Sequence, residues 1–178
     1  MAEYRKLGKK TKLRKALLRS QVTQLIYKGK IVTTEARAKE VQKIVEPLIA
    51  LAAKEKDNFE EVTVTAKVAR KDKDGKRVKE VVDGKKVTLY DEVEKKITKD
   101  APSRLHARRQ ILRVLYPVVE VPEKGAGRKK NTKQVDLVDK MFTEYGKKYA
   151  DRKGGYTRIV KIGQRKGDAA LMVVLELV

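Results

Sequence analysis

Apolar residues recur at helical spacing over the first third of the chain. The first stripe consists of Leu18, Val22, Leu25 and Ile26. It predicts a helix that Thr11 caps and Gly29 ends. Residues 31–34 predict a short strand, and Thr34 then caps a second predicted helix. The apolar positions of that second helix are Val41, Ile44, Val45, Leu48, Leu51 and Ala52.

The pattern changes between residues 55 and 102. Valines and an alanine at 62, 64, 66 and 68 alternate with polar residues, which is the period of a strand. Asp-Gly dipeptides at 74–75 and 83–84 are typical hairpin turns, and they separate this strand from two further strands at 78–82 and 86–90. We therefore predict that 55–102 is an inserted β-rich module, a three-stranded meander followed by a helix at 91–99.

Helical and strand patterns return after residue 102. Helices are predicted at 103–116 and 134–149, with a basic loop at 124–133 between them, and an antiparallel pair at 156–162 and 171–177. The predicted fold is α+β, with helices packed on a small, mostly antiparallel sheet in the order α-β-α-α-α-β-β. Residues 1–54 and 103–178 would form its core, and the first ten residues an irregular basic arm.

The 178 residues include no Cys and one His, so neither a disulfide framework nor a thiolate metal site is expected. No stretch approaches the roughly 18 apolar residues of a membrane span. The N-terminus lacks the apolar region of a secretory signal. We expect a cytoplasmic protein without a metal, another cofactor or a small-molecule substrate.

Positive charge is distributed unevenly along the chain. Residues 1–54 hold 14 Lys and Arg against 4 Asp and Glu, a net +10, and residues 103–178 hold 18 against 8, again +10. Residues 55–102 hold 13 against 12, a net +1. A field of this size attracts a polyanion. The two basic segments are therefore the predicted contact regions, and the segment between them is predicted to face away from the polyanion.

Composition also narrows the class of polyanion. A membrane binder should combine a basic helix face with large aromatic residues, but the chain has no Trp and only two Phe. A single-strand binder needs aromatic stacking platforms, and the seven tyrosines are dispersed. Contact with the phosphate backbone of a nucleic acid is the interpretation that these counts favour.

An enzymatic site finds little support in the sequence. His106 is the only histidine and lies among arginines, with no identifiable nucleophile or orienting acid beside it. We predict that the chain is not an enzyme and that His106 packs in the fold or faces phosphate.

Four basic clusters are candidate phosphate contacts. The first lies in the arm and the first helix, where a solvated basic tail remains the alternative. The second lies on the helix at 103–116, where arginines recur four residues apart. The third and fourth lie before the Gly154–Gly155 pair and in the loop of the closing hairpin. Their members are Arg5, Lys6, Lys9, Lys10, Lys12, Arg14, Lys15 and Arg19; Arg104, Arg108, Arg109 and Arg113; Arg152 and Lys153; and Arg165 and Lys166.

Seven segments occur in an order that resembles one family. They are 4–8 (YRKLG), 14–19 (RKALLR), 31–40 (IVTTEARAKE), 105–110 (LHARRQ), 154–159 (GGYTRI), 165–170 (RKGDAA) and 176–178 (ELV). The family is bacterial ribosomal protein seventeen of the large subunit. The resemblance covers 1–54 and 103–178. Lys9–Lys10 departs from a more typical Arg-containing segment, and about 48 residues intervene where the family usually runs almost directly into LHARR.

The resemblance implies an α+β fold and a structural and assembly role without catalysis. It implies binding to large-subunit ribosomal RNA near the polypeptide exit tunnel, beside other ribosomal proteins. It adds Arg37 and Arg158 to the expected RNA contacts and places His106 among them. A non-ribosomal, nucleoid-type nucleic-acid-binding protein remains the alternative function.

Overall fold

The computed structural model describes residues 4–73, 75–82, 85–122 and 131–178. Both predicted Asp-Gly turns and most of the predicted loop at 124–133 therefore lie, in part or whole, outside the described residues. Contacts divide the chain into a core unit, Met1–Asn58 with Pro102–Val178, and a ribbon unit, Phe59–Ala101. The predicted division at 55–102 stays an interpretation of the sequence.

The elements follow one another in a mixed order of helices and strands. They are α1 (Thr11–Lys28), β1 (Lys30–Thr34), α2 (Glu35–Lys54), β2 (Phe59–Ala69), β3 (Lys79–Val82), β4 (Lys85–Thr88), β5 (Tyr90–Asp100), α3 (Pro102–Val114), β6 (Val118–Glu120), β7 (Lys133–Val135), α4 (Leu137–Lys140), a π-helical turn (Met141–Tyr145), α5 (Gly146–Lys148), β8 (Thr157–Gln164) and β9 (Leu171–Leu177).

The core unit is built on an antiparallel sheet of three strands. β9 lies in the middle, between β1 and β8. Its residues Val173 and Leu175 are fully buried and belong to the same hydrophobic cluster as the apolar stripes of α1 and α2. Burial of each such side chain contributes about 1.5–3 kcal/mol. The predicted α+β class, with helices on a small antiparallel sheet, is confirmed.

The first helix shows how the local sequence sets the boundaries of an element. All four residues of its predicted stripe are buried. Gly29 ends α1 with φ of 78°, a conformation that glycine adopts without strain, and its N–H donates to the Leu25 carbonyl. The predicted start is off by one residue, because Thr11 is already helical and Lys10 occupies the cap position without a side-chain bond.

Two later helices are shorter than predicted. The helical segment predicted from residue 134 begins at Leu137, because residues 133–135 pair with β6 instead. Asp136 caps α4, and its carboxylate accepts hydrogen bonds from the N–H groups of Val138 and Asp139 at 2.9 and 3.0 Å. The helix predicted at 103–116 ends at Val114.

The ribbon unit is where the prediction is wrong. β2 and β5 pair over eleven residues each, and β3 pairs with β4, so the strands form nested hairpins and not a meander. The predicted helix at 91–99 is part of β5. The cause is an ambiguity of spacing: Val93 and Ile97 are four residues apart, which fits one face of a helix and also one face of a strand. In the structure they lie opposite Ala66 and Val62.

In the described part of the chain, no helix has the length and apolar character that crossing a bilayer requires.

Candidate nucleic-acid interface

The basic side chains of α1 differ in how deeply they are buried. Lys12 and Lys15 are exposed, whereas Arg14 is 7% exposed and Arg19 is half-buried. The guanidinium carbon of Arg14 lies 4.1 Å from the centre of the Tyr4 ring. Lys12 and Lys15 lie in α1 ahead of Leu18, the first residue of the buried apolar stripe, and remain in solvent, whereas Arg14 and Arg19 reach partners within the fold.

Arg19 closes the end of another helix. Its Nε donates to the Val114 carbonyl at 2.9 Å, and its Nη2 donates to the Leu115 carbonyl at 3.1 Å. The guanidinium also lies 4.1 Å from the centre of the Tyr116 ring. The last carbonyls of a helix have no intrahelical partner and carry partial negative charge, which a cation there satisfies. Arg19 therefore has a structural role in joining α1 to α3.

The arginines of α3 also separate into two sets. Arg104 is 6% exposed and lies 4.7 Å from the centre of the Phe142 ring. Arg108 lies 5.5 Å from the same ring centre, and its Nη1 is 3.9 Å from Oδ2 of Asp136. Both side chains face the core unit's own helices, in the manner of a cation over an aromatic ring.

The other set on α3 points into solvent. His106, Arg109 and Arg113 are exposed, and they occupy one side of the helix at spacings of three and four residues. The imidazole Nε2 of His106 lies 3.4 Å from the amide nitrogen of Gln110. This surface presents two full positive charges within one helical turn.

The N-terminal segment lies against the core unit. Leu7 packs against the hydrophobic cluster, and Nε of Arg5 is 3.8 Å from Oε1 of the buried Glu40. The side chains of Lys6, Lys9 and Lys10 remain exposed. The described part of the predicted arm, residues 4–10, is thus irregular in backbone but anchored by its apolar and acidic contacts.

A depression of about 430 Å³ brings together cations from three parts of the chain. Arg5, Lys39 and Arg165 line it, from the arm, from α2 and from the β8–β9 loop. Lys39 was not among the predicted contacts. Its Nζ lies 2.8 Å from Oε1 of Glu35, one helical turn earlier. In the sequence, the spacing of four residues between Glu35 and Lys39 is the signal that indicates this pair at the start of α2.

All three of these cations have an acidic partner, which for Arg5 is Glu40, as described above. Arg165 makes two hydrogen bonds to the Asp168 carboxylate, at 2.7 and 2.5 Å, and they lower the pKa of Asp168 to about 2. The hydrogen bond from Lys39 and its charge lower the pKa of Glu35 in the same way. The depression therefore carries less net positive charge than its three basic residues would indicate.

The remaining predicted contacts are mostly exposed. Arg152 donates from Nε to the Gly154 carbonyl at 3.1 Å, and Nη1 of Arg158 lies 3.7 Å from Oε1 of Glu176. Lys153 and Lys166 are exposed and Arg37 is half-buried. Over the described ranges, no group of three His, Cys, Asp or Glu residues could hold a metal ion.

Sequence comparison assigns the family. A family model described as ribosomal protein L17 matches residues 17–178. The chain belongs to the ribosomal protein L17 family. The large ribosomal subunit protein bL17 of Lachnospira eligens is 71% identical over 178 residues and covers all of both chains. The bL17 proteins of Acetivibrio thermocellus and Pediococcus pentosaceus are 46% and 39% identical, and cover 100% and 98% of both chains respectively.

Membership of the L17 family confirms the predicted resemblance. The family is ribosomal and structural, so the prediction that the chain is not an enzyme is confirmed with it, as is a cytoplasmic, ribosomal location. The matched range is wider than the segments that carried the resemblance, because it includes residues 55–102. Membership of the L17 family thus shows that the chain is a ribosomal protein. The exposed cations described above are the candidates for contacts with RNA.

Proposed function

We propose that the chain is a structural constituent of the large ribosomal subunit, and that it binds ribosomal RNA mainly by neutralising backbone phosphates. The bL17 relatives are named as proteins of that subunit. The observation that supports contact with RNA is the exposure of the predicted cations and their lack of acidic partners. In the described ranges, ten of them are exposed and have no ion-pair partner: Lys6, Lys9, Lys10, Lys12, Lys15, Arg109, Arg113, Arg152, Lys153 and Lys166.

The number of unpaired cations predicts the salt dependence of binding. Each neutralised phosphate releases counterions, so the slope of log affinity against log salt is about −0.7 to −0.9 per contact. Ten contacts give a slope of roughly −7 to −9. Eight further predicted cations, among them the buried Arg14 and Arg104, are occupied within the fold or half-buried, and we expect them to add little to this slope.

The position on the subunit is part of the same proposal. The resemblance to the family supports a site on the outer surface near the polypeptide exit tunnel, beside other ribosomal proteins. The charge distribution supports an orientation in which the core unit faces RNA. That unit has 33 Lys and Arg against 14 Asp and Glu, a net +19, whereas the ribbon unit has 12 against 10, a net +2.

Replacing two exposed arginines of α3, with two exposed lysines of the ribbon unit as the control, tests the RNA contact. Arg109→Ala with Arg113→Ala should lower the affinity for large-subunit ribosomal RNA and make the salt slope shallower by about 1.5, because two phosphate contacts are lost. The matched control is Lys85→Ala with Lys86→Ala, which removes two exposed cations from the ribbon unit and should leave both quantities unchanged. Equal effects of the two pairs would contradict the proposal.

Competition with DNA separates the proposal from the nucleoid-type alternative. Binding of the full chain to large-subunit ribosomal RNA should persist in an excess of double-stranded DNA, with both concentrations expressed as phosphate. In cell lysates the chain should sediment with large subunits after a moderate salt wash. Sedimentation with DNA in place of the subunit would favour the alternative.

A further inference from the structure

The paired strands β2 and β5 have one apolar face and one polar face. Residues that lie opposite each other in an antiparallel pair share a face, as do residues two apart in one strand. On one face Val62 lies opposite Ile97 and Ala66 lies opposite Val93. We define the apolar stripe by its six members: Val62, Val64, Ala66, Val68, Val93 and Ile97.

The apolar stripe is open to solvent. Val64, Val93 and Ile97 are 41%, 43% and 48% exposed. A two-stranded ribbon has no second layer of its own to cover such a face, and ribbons of this kind are marginally stable in water without one. A partner that covers these six aligned apolar side chains would supply the missing layer and stabilise the ribbon.

The opposite face of the ribbon is suited to water. Between its ends it carries threonines and charged residues in facing pairs. Thr63 lies opposite Lys96 and Thr65 opposite Glu94. Lys67 lies opposite Glu92, with 3.9 Å between Nζ and Oε1. The two faces therefore differ in character, and the apolar stripe is the one that a partner would cover.

Charge on the stripe points to a protein and not to RNA. At its far end lies Asp91, which Arg70 already binds through three hydrogen bonds. Near its centre, opposite Val64, is Lys95, which has no ion-pair partner among the described residues. Lys95 is the one cation within the stripe, among valines, Ala66 and Ile97, and Lys99 lies on the same face beyond Ile97, opposite Glu60. The stripe therefore offers RNA few phosphate contacts and no aromatic ring for stacking. It offers a protein an apolar surface and one site for a carboxylate.

We propose that the apolar stripe docks on a neighbouring protein of the large subunit, whose contact surface is apolar and places a carboxylate against Lys95. A second copy of this chain fits less well, because a face-to-face pair would bring the two Lys95 side chains together. The inference rests on the proposed ribosomal function, since it is the subunit that supplies the neighbour.

The small area of the stripe means that this contact can form only when the chain is already anchored on the subunit. From Val62 to Val68 the strand rises about 20 Å, and with a width of roughly 10 Å the stripe covers about 200 Å². Stable interfaces bury at least about 1,200 Å² in total, so the stripe cannot hold a partner in free solution. Anchoring of the core unit on RNA raises the effective concentration of the neighbour into the millimolar range, which allows a small contact to be occupied.

Site-specific photocrosslinking in purified large subunits tests the inference. A benzophenone amino acid replaces Val93 in the full chain or, as the matched control, Glu94, the next residue on the opposite face. We expect the position of Val93 to give an adduct with a second ribosomal protein, identified by mass spectrometry, at a yield at least fivefold above that of the control. Equal yields at the two positions, or an adduct with RNA from the position of Val93, would overturn the inference.

Charge reversal at two consecutive lysines supplies a second readout. Lys95→Glu, on the stripe, should lower the yield of the protein adduct at least fivefold, because like charges then meet across the contact. Lys96→Glu, on the polar face, should leave it within twofold. Subunits that contain the chain but give no protein adduct would overturn this inference alone, whereas subunits that lack the chain would overturn the proposed function as well.

Discussion

Arg19 is the position where a structural and an RNA-binding role can be separated most sharply. Its guanidinium donates hydrogen bonds to the carbonyls of Val114 and Leu115 and lies over the ring of Tyr116. Thr23 supports the same junction, since its hydroxyl accepts from the Tyr116 N–H at 3.0 Å and donates to the Arg19 carbonyl at 2.8 Å. Arg19→Ala leaves two helix-terminal carbonyls in a half-buried site without this partner.

The expected loss of stability follows from these contacts. A hydrogen bond to a charged group contributes about 1.5–3 kcal/mol, and a cation over an aromatic ring about 0.5–2 kcal/mol. Because the three contacts share one side chain and water can replace part of them, we expect a total of about 2–4 kcal/mol for Arg19→Ala. Arg19→Lys retains the favourable charge at the end of α3 but not the planar fork, so it should recover about half of the loss.

Urea unfolding followed by far-ultraviolet circular dichroism measures this change. All helices of the described chain lie in the core unit, so the helical signal reports on that unit. With an m-value of about 2 kcal/mol per molar urea, the midpoint for Arg19→Ala should fall by about 1–2 M. Lys15→Ala is the matched control, because Lys15 lies one turn earlier on α1 and is exposed.

Each of the two variants should change one quantity, either stability or the salt slope of RNA binding, and leave the other unchanged. Arg19→Ala should lower the free energy of unfolding and leave the salt slope of RNA binding unchanged, whereas Lys15→Ala should leave stability within about 0.5 kcal/mol and reduce the slope by roughly 0.8. If Arg19→Ala kept wild-type stability and reduced the slope as Lys15→Ala does, Arg19 would be an RNA contact and its role at the end of α3 would be refuted.

Two further changes test the core unit. Asp136→Ala removes the cap of α4 and should lower the free energy of unfolding, measured with urea, by about 1 kcal/mol. Asp136→Asn keeps an oxygen that can accept the capping bonds, so it should keep most of the wild-type stability. Equal losses of stability in the two variants would show that the capping bonds contribute little. Burial raises the pKa of Tyr145 from 10.0 to about 12, so the stability that its neutral hydroxyl provides is complete below pH 10 and decreases as the pH rises from 10 to about 12. An absorbance titration of tyrosinate should lose its highest step in Tyr145→Phe, and an unchanged titration curve would contradict the assignment.

The elements of the core unit were largely predictable because their apolar spacing was unambiguous. The stripe of α1 contains residues three and four apart, which no strand reproduces, and Gly29 marks its end. The ribbon unit was not predictable to the same degree. Val93 and Ile97 fit either period, and the choice depended on their partners in β2, which lie some thirty residues away and which no local pattern reveals.

The candidate interface was predictable by residue type but not by orientation. The sequence identifies α3 as a helix with arginines four residues apart. From this spacing alone, the pair Arg104 and Arg108 cannot be distinguished from the pair Arg109 and Arg113. Ala107, Ile111 and Leu115 are buried and define the side of the helix that faces the core. Arg104 and Arg108 flank that side and are drawn onto Phe142, whereas the other pair is directed outward.

Formal charge therefore overstates the number of phosphate contacts in a predictable way. Arginine is favoured where a helix meets a neighbouring aromatic ring or a helix end, because its planar cation satisfies carbonyls and stacks on rings as well as it binds phosphate. Arg14, Arg19 and Arg104 are all used in this manner. Lysines of the same region, Lys12 and Lys15, stay in solvent. For a basic chain of this kind, an arginine that reaches a ring or a helix end within the fold is better counted with the core, and the salt slope of RNA binding should follow the exposed cations that have no such partner.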